Sequence, residues 1–97
     1  MMIPEKIRAL REQAGLSQAQ LARKLDVTRS SVNAWEMGLS TPTTQYIVML
    51  ARLFHVSADY ILGLEEERCV SLRDCTEEEI GLVQDLLRYF EEHRRQK

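Results

Sequence analysis

The side chains best placed for molecular recognition cluster in one short stretch, T-R-S-S-V-N-A-W, from Thr28 to Trp35. Val32 and Trp35 are three apart and share an apolar face, which leaves Thr28, Arg29, Ser30, Asn33 and Ala34 on the other faces. These are small or polar groups with one guanidinium, near the N-terminal end of an exposed helix. A helix of about nine residues is roughly 13 Å long, enough to lie across a DNA major groove. The chemistry on offer is hydrogen bonding and apolar contact rather than bond making. No Ser–His–Asp set, paired carboxylates or Gly-rich phosphate loop is readable in the chain. Cys69-x5-Cys75 with a distant histidine is not a zinc spacing. His55 falls at a helix end, where imidazole suits the dipole, and His93 sits in a charged tail. The expectation is a protein that is no enzyme and needs no metal or cofactor.

The elements that must position this stretch are bounded by size and composition. Ninety-seven residues, 44% hydrophobic and 29% charged with four Gly and two Pro, make one small domain and exclude a disordered chain. No run approaches 18 uncharged apolar residues, so no membrane span is expected. The start, MMIPEKIRALRE, lacks a signal core, which predicts a cytoplasmic protein with free thiols. Charge is uneven. Residues 1–63 carry a net of +2 and residues 64–97 a net of −4, a weak hint of a polyanion partner for the first part alone.

Caps and apolar stripes agree in phase along the first part. Pro4 suits a first helical turn, and Ile7, Leu10 and Ala14 recur until Gly15, predicting a helix over about 4–14. Ser17 caps a second helix over about 18–25, striped by Leu21, Ala22 and Leu25. After a minimal break at Asp26-Val27, Thr28 caps a third over about 29–36, which Gly38 ends. Ala22 falls where the second and third helices must approach closely, since packed axes lie roughly 8–10 Å apart. Leu39–Pro42 is a loop. Thr43 caps a fourth helix over about 44–54, with Ile47, Leu50, Ala51 and Phe54 inward, and Ser57 caps a fifth over Ala58–Leu62. Nothing there alternates with a strand's period, so the fold class is all-α. Residues 64–76 read as a linker in which C-V-S-L fits a short extended piece. Thr76 and Glu79 form a capping-box pattern for a sixth helix over about 77–95, within a C-terminal segment 77–97. Its three leading glutamates and trailing Arg94, Arg95 and Lys97 suit the helix dipole.

The run G-L-S-Q-A-Q-L-A-R-K-L-D-V-T-R-S-S-V-N-A-W-E-M-G, followed by V-S-A-D-Y-I-L-G at 56–63, resembles the helix-turn-helix domain of the lambda-type phage repressor and Cro family, the XRE family. The likeness covers about residues 5–63, with the motif at about 18–37. GLSQxxLA, VxxWExG and VSxDYxLG in that order are specific in combination. The resemblance implies a five-helix lambda-repressor-like bundle over 1–63 that binds double-stranded operator DNA, usually as a dimer, and regulates transcription. The third helix is then the recognition helix.

Carried over position by position, the resemblance gives Gln18 a place on the DNA backbone, often with a base contact. Arg29 and Ser30 reach base edges, where arginine can pair with guanine O6 and N7. Asn33 suits adenine, and the Ala34 methyl a thymine methyl. Thr28 and Ser31 fall to phosphate, and Ser40, Thr43 and Thr44 flank the opposite strand. Arg11 and Glu36 sit where the family pairs helices 1 and 3. Two departures matter. Asp26 stands where the family often has Gly, a mild change because Asp tolerates the left-handed region. The loop LSTPTTQ is uncharged where the family is often basic, which predicts a shallower salt dependence.

The sixth helix carries Ile80, Val83, Leu86, Leu87 and Phe90 on one face, which must be covered. It either folds back on the same bundle or pairs with a second chain. The linker and the two-fold symmetry of operators favour a homodimer. The expectation is a repressor on a palindromic operator. The alternatives are the antitoxin of a toxin–antitoxin pair, or an interaction module that sequesters another regulator through the C-terminal helix.

Overall fold

The structure, a computed structural model, describes residues 2–65 and 69–95. Among these the backbone forms α1 (Ile3–Gln13), α2 (Gln18–Leu25), α3 (Arg29–Glu36), α4 (Thr44–Phe54), α5 (Ala58–Leu62) and α6 (Glu77–Arg95), with no strand. Residues 66–68 of the expected linker and Lys97 lie outside the described residues.

Local chemistry sets most boundaries. Ser17 Oγ accepts the Gln20 N–H at 3.0 Å while Gln20 Oε1 accepts the Ser17 N–H at 2.8 Å, a reciprocal capping box that starts α2. Asp26 closes α2 in the left-handed region at φ 57°. Thr28 Oγ1 accepts the Ser31 N–H at 3.1 Å and starts α3. Ser57 Oγ does the same for Tyr60 at the head of α5, and Thr76 with Glu79 for α6. The two hydrogen bonds from Thr76, one backbone and one side-chain, hold the Glu79 carboxyl below its usual range.

Two expectations are corrected. Extended Met2 serves as the N-cap of α1, so that helix starts one residue early, and Ala14, expected as its last residue, becomes its exposed C-cap. Thr43 occupies the N-cap of α4 but its hydroxyl makes no bond to the helix. It is exposed, so water can satisfy the first-turn N–H groups instead.

The core gathers Ile7 and Leu10 of α1, Leu21, Ala22 and Leu25 of α2, Val32 and Trp35 of α3, Ile47, Leu50 and Ala51 of α4, then Val56 and Ile61. Close packing joins α2 to α3, α1 to α3, α4 to α5, α1 to α5 and α2 to α4. Trp35 is buried and lies 5.5 Å from the Tyr46 ring, bridging α3 to α4. Lys6, also buried, donates to the Tyr60 carbonyl at 2.6 Å and sits 4.2 Å over the Tyr60 ring, fastening α1 to α5.

α6 is not among these packed pairs. On its expected apolar face Ile80 and Val83 are half-buried, while Leu86, Leu87 and Phe90 are 52%, 60% and 48% exposed. The linker is anchored. The Ser71 N–H donates to the His55 carbonyl at 2.8 Å, and His55 Nδ1 lies 3.2 Å from the Ser71 carbonyl. A carbonyl only accepts, so that ring nitrogen carries the proton. Cys69 is exposed and Cys75 half-buried, both as free thiols. No helix among the described residues is long and apolar enough to cross a membrane.

Trp35→Ala is expected to cost about 3–5 kcal/mol of stability, by lost burial and the cavity left behind. Thermal melts check this: a melting temperature like wild type would remove Trp35 from the core.

Candidate nucleic-acid interface

The site begins with a buried ion pair. Arg11 Nε donates to Glu36 Oε2 at 2.6 Å and Arg11 Nη2 to Glu36 Oε1 at 3.0 Å, a two-pronged contact from α1 to the last turn of α3. The two side chains are 12% and 3% exposed. Arg11 also donates to the Leu16 carbonyl at 2.7 Å, tying in the turn before α2. The hydrogen bond to Glu36 raises the guanidinium further above its ordinary range. Burial opposes this, and the charges of Glu36 and Glu12 reinforce it. The pair expected between Arg11 and Glu36 is therefore formed.

Gln18, first residue of α2, extends this network. Its amide nitrogen donates to Glu36 Oε1 and to Asn33 Oδ1, each at 3.2 Å. Arg29, Ser30, Asn33 and Ala34 line one shallow groove of about 250 Å³ on the outer side of α3. Arg29, Ser30 and Asn33 are exposed, and Ala34 is partly covered. At the head of the helix Thr28 Oγ1 and Ser31 Oγ lie 3.0 Å apart and share a hydrogen bond. The motif residues thus form one continuous surface from Gln18 through Asn33 to the groove.

The remaining predicted residues lie apart. Ser40 lines a separate recess with Met2, Ile3, Pro4, Gly38 and Thr41. Thr43 and Thr44 are exposed at the start of α4 and line neither.

Two features were not anticipated. Leu39, 78% exposed, forms the apolar wall of the groove beside Ala34. Its backbone N–H donates to the Ala34 carbonyl at 2.9 Å, folding the chain back over the helix end after Gly38 at φ 75°. A lone leucine in an uncharged loop was the available sign. The other is the bond between Gln18 and Glu36, 18 positions apart, for which the sequence held no sign.

The sequence profile described as helix-turn-helix matches residues 7–61. The chain belongs to the XRE-type helix-turn-helix family. The uncharacterized helix-turn-helix-type transcriptional regulator YobD of Bacillus subtilis (strain 168) is 39% identical over 66 residues, 68% of this chain and 59% of YobD. The chain spans about half the length of the curated relatives it matches. Among solved structures, the P22 c2 repressor in complex with a synthetic operator superposes with a TM-score of 0.63 at 26% identity, over 67% of this chain and 98% of that one. A complex of SinR protein with SinI protein is similar over 97% of this chain and 95% of that one, with a TM-score of 0.62 at 25% identity. The helix-turn-helix itself is α2 and α3 with the left-handed Asp26 in its turn, so Asp serves where the family often uses Gly.

Arg11→Met would strand the Glu36 carboxylate in a nearly closed site. It is expected to cost about 3–5 kcal/mol, and adding Glu36→Leu should recover part of the loss by removing the stranded charge. Urea unfolding measures both. A single-variant loss below about 1 kcal/mol would mean the pair is not what fixes α3 against α1.

Proposed function

We propose that this chain is a transcriptional repressor that binds a palindromic operator as a homodimer, with α3 of each protomer in the major groove. The observation carrying this reading is the convergence of Arg29, Ser30, Asn33 and Ala34 on one exposed groove of α3, with Gln18 bonded to Asn33 at its edge. Arg29 serves guanine, and Ala34 with Leu39 offers apolar contact to a thymine methyl. Thr28 and Ser31, at the positive end of α3, face phosphate. Ser40, Thr43 and Thr44 hold the neighbouring backbone through hydroxyls alone, which keeps the salt dependence shallow. Bound over a promoter, the protein would exclude polymerase. The P22 c2 repressor, solved on an operator, supports the DNA-bound form.

The dimer is assigned to α6. A helix-turn-helix unit reads one half-site, and two units need recognition helices about 34–36 Å apart. The bundle closes its own core, whereas Leu86, Leu87 and Phe90 remain exposed, with Ile80 and Val83 half-covered beside them. A second chain supplies the same face and buries both. A second reading, in which α6 holds a different protein, draws on the SinR–SinI complex, whose likeness to this chain runs through α6.

Arg29→Ala is expected to weaken operator binding by about 1–3 kcal/mol while affecting random DNA less. Gel-shift titrations on both duplexes check it, and equal losses would move Arg29 to a phosphate. Leu86→Glu places a charge in the proposed interface and should give a monomer with much weaker operator binding. Sedimentation of this variant beside wild type decides. A wild type that is monomeric at micromolar concentration, or a variant that stays dimeric, would favour the protein-partner reading.

A further inference from the structure

The amides of Gln18 and Asn33 are not free to choose which end they present. Gln18 Nε2 lies 3.2 Å from Glu36 Oε1 and 3.2 Å from Asn33 Oδ1. A carboxylate clamped by a guanidinium has no proton to give, so the end of the Gln18 amide that meets it must be nitrogen. That nitrogen has two protons, and these two acceptors take both. With a donor facing it, Asn33 must turn its oxygen inward and its own nitrogen away. Glu36 cannot swivel to release them. Arg11 holds both of its oxygens, and Arg11 is itself fixed by the Leu16 carbonyl. The outward atoms are then Gln18 Oε1, which only accepts, and Asn33 Nδ2, which only donates. Neither has a partner among the described residues.

We propose that these two atoms together read one adenine in the major groove, Gln18 Oε1 accepting from N6–H and Asn33 Nδ2 donating to N7. In that groove adenine alone offers a donor and an acceptor on one base edge. Guanine presents two acceptors, cytosine a donor, and thymine an acceptor beside its methyl group. A single Asn or Gln makes this contact with both ends of one amide. Here two side chains on two helices divide it, and Glu36 is the positioning residue that fixes its polarity. Gln18 has no proton left for a phosphate, so its role becomes a base contact. The proposal rests on the DNA-binding reading above and names part of its specificity.

The test begins with selection of a preferred operator from a random duplex library by the full-length protein. Each adenine is then replaced singly by 7-deaza-adenine, which lacks N7, and by purine, which lacks the 6-amino group. One adenine per half-site should show about a tenfold loss of affinity with either replacement. In Asn33→Ala the 7-deaza penalty should vanish, and in Gln18→Ala the purine penalty. Glu36→Gln, which offers an –NH2 where Gln18 needs an acceptor, should lower the preference for adenine at that position more than it lowers binding to random duplex. If thermal melts show this variant unfolded, the two amide variants carry the test. A selected operator with no such adenine, or a 7-deaza penalty that survives in Asn33→Ala, overturns the adenine reading alone. Failure to select any duplex overturns DNA binding with it.

Discussion

The carboxylate of Glu36 is enclosed at 3% exposure, and the geometry of the candidate interface depends on how that charge is satisfied. An unpaired charge there would be too costly to bury, so the fold must bring Arg11 to it from another helix. The planar guanidinium answers with two parallel hydrogen bonds and fixes direction as well as distance. A third donor comes from Gln18, the first residue of α2. One buried acceptor thus joins α1, α2 and α3 where their ends meet. Buried pairs are weak evidence for net stability, because desolvation offsets much of the attraction. Their effect here is orientational: α3 cannot rotate about its axis without breaking bonds on which the Gln18 and Asn33 amides also depend.

That constraint matters because α2 and α3 are too short to stand alone. Helices of eight residues are marginal in water, so each needs caps and packing. Ser17 and Thr28 satisfy first-turn donors, and the left-handed Asp26 lets the chain reverse in a minimal turn. Val27 then donates to the Ala22 carbonyl at 2.9 Å, sealing the junction. Ala22, buried against its neighbours, permits the close approach, and Val32 with Trp35 provides the opposing surface. The same residues that close the core therefore decide which side of α3 faces outward.

Element boundaries were legible where a side chain and a turn agree locally. Ser17, Thr28, Ser57 and Thr76 each cap the helix expected of them, because an N-cap bond spans only three residues. Thr43 is also a threonine with an extended backbone at the N-cap, yet its hydroxyl makes no cap bond, so residue type and position alone do not decide whether the bond forms. Ala14 fits an apolar spacing but falls in the turn, as alanine is at home on either side of a surface. In the candidate site, the gathering of Arg29, Ser30, Asn33 and Ala34 followed from helical period. The direction of the Gln18 amide did not, because it is set by a partner 18 positions away. The wall formed by Leu39 depends on how the loop folds back after Gly38, a property of backbone geometry that composition does not encode.

The apolar side of α6 poses a different problem, because periodicity says that such a face is to be covered but not by what. In the dimer proposed above, pairing through α6 can set the spacing of two recognition helices only if α6 is itself held relative to its bundle. A freely jointed linker would bring the two bundles together without fixing their angle, and simultaneous engagement of both half-sites depends on that geometry. The contact between His55 and Ser71 addresses this point. His55 ends α4 in the left-handed region at φ 55°, a conformation uncommon for a residue with a side chain. There its carbonyl accepts the Ser71 N–H while its ring nitrogen meets the Ser71 carbonyl. A single linker residue is thereby bonded through both of its backbone groups to the end of a core helix. Only five residues then separate Ser71 from Glu77, where α6 begins. The path from the proposed base-reading groove to the proposed dimer face thus runs through short segments, each tied at its ends, so the spacing required by a two-fold operator can be stored in the fold of one chain.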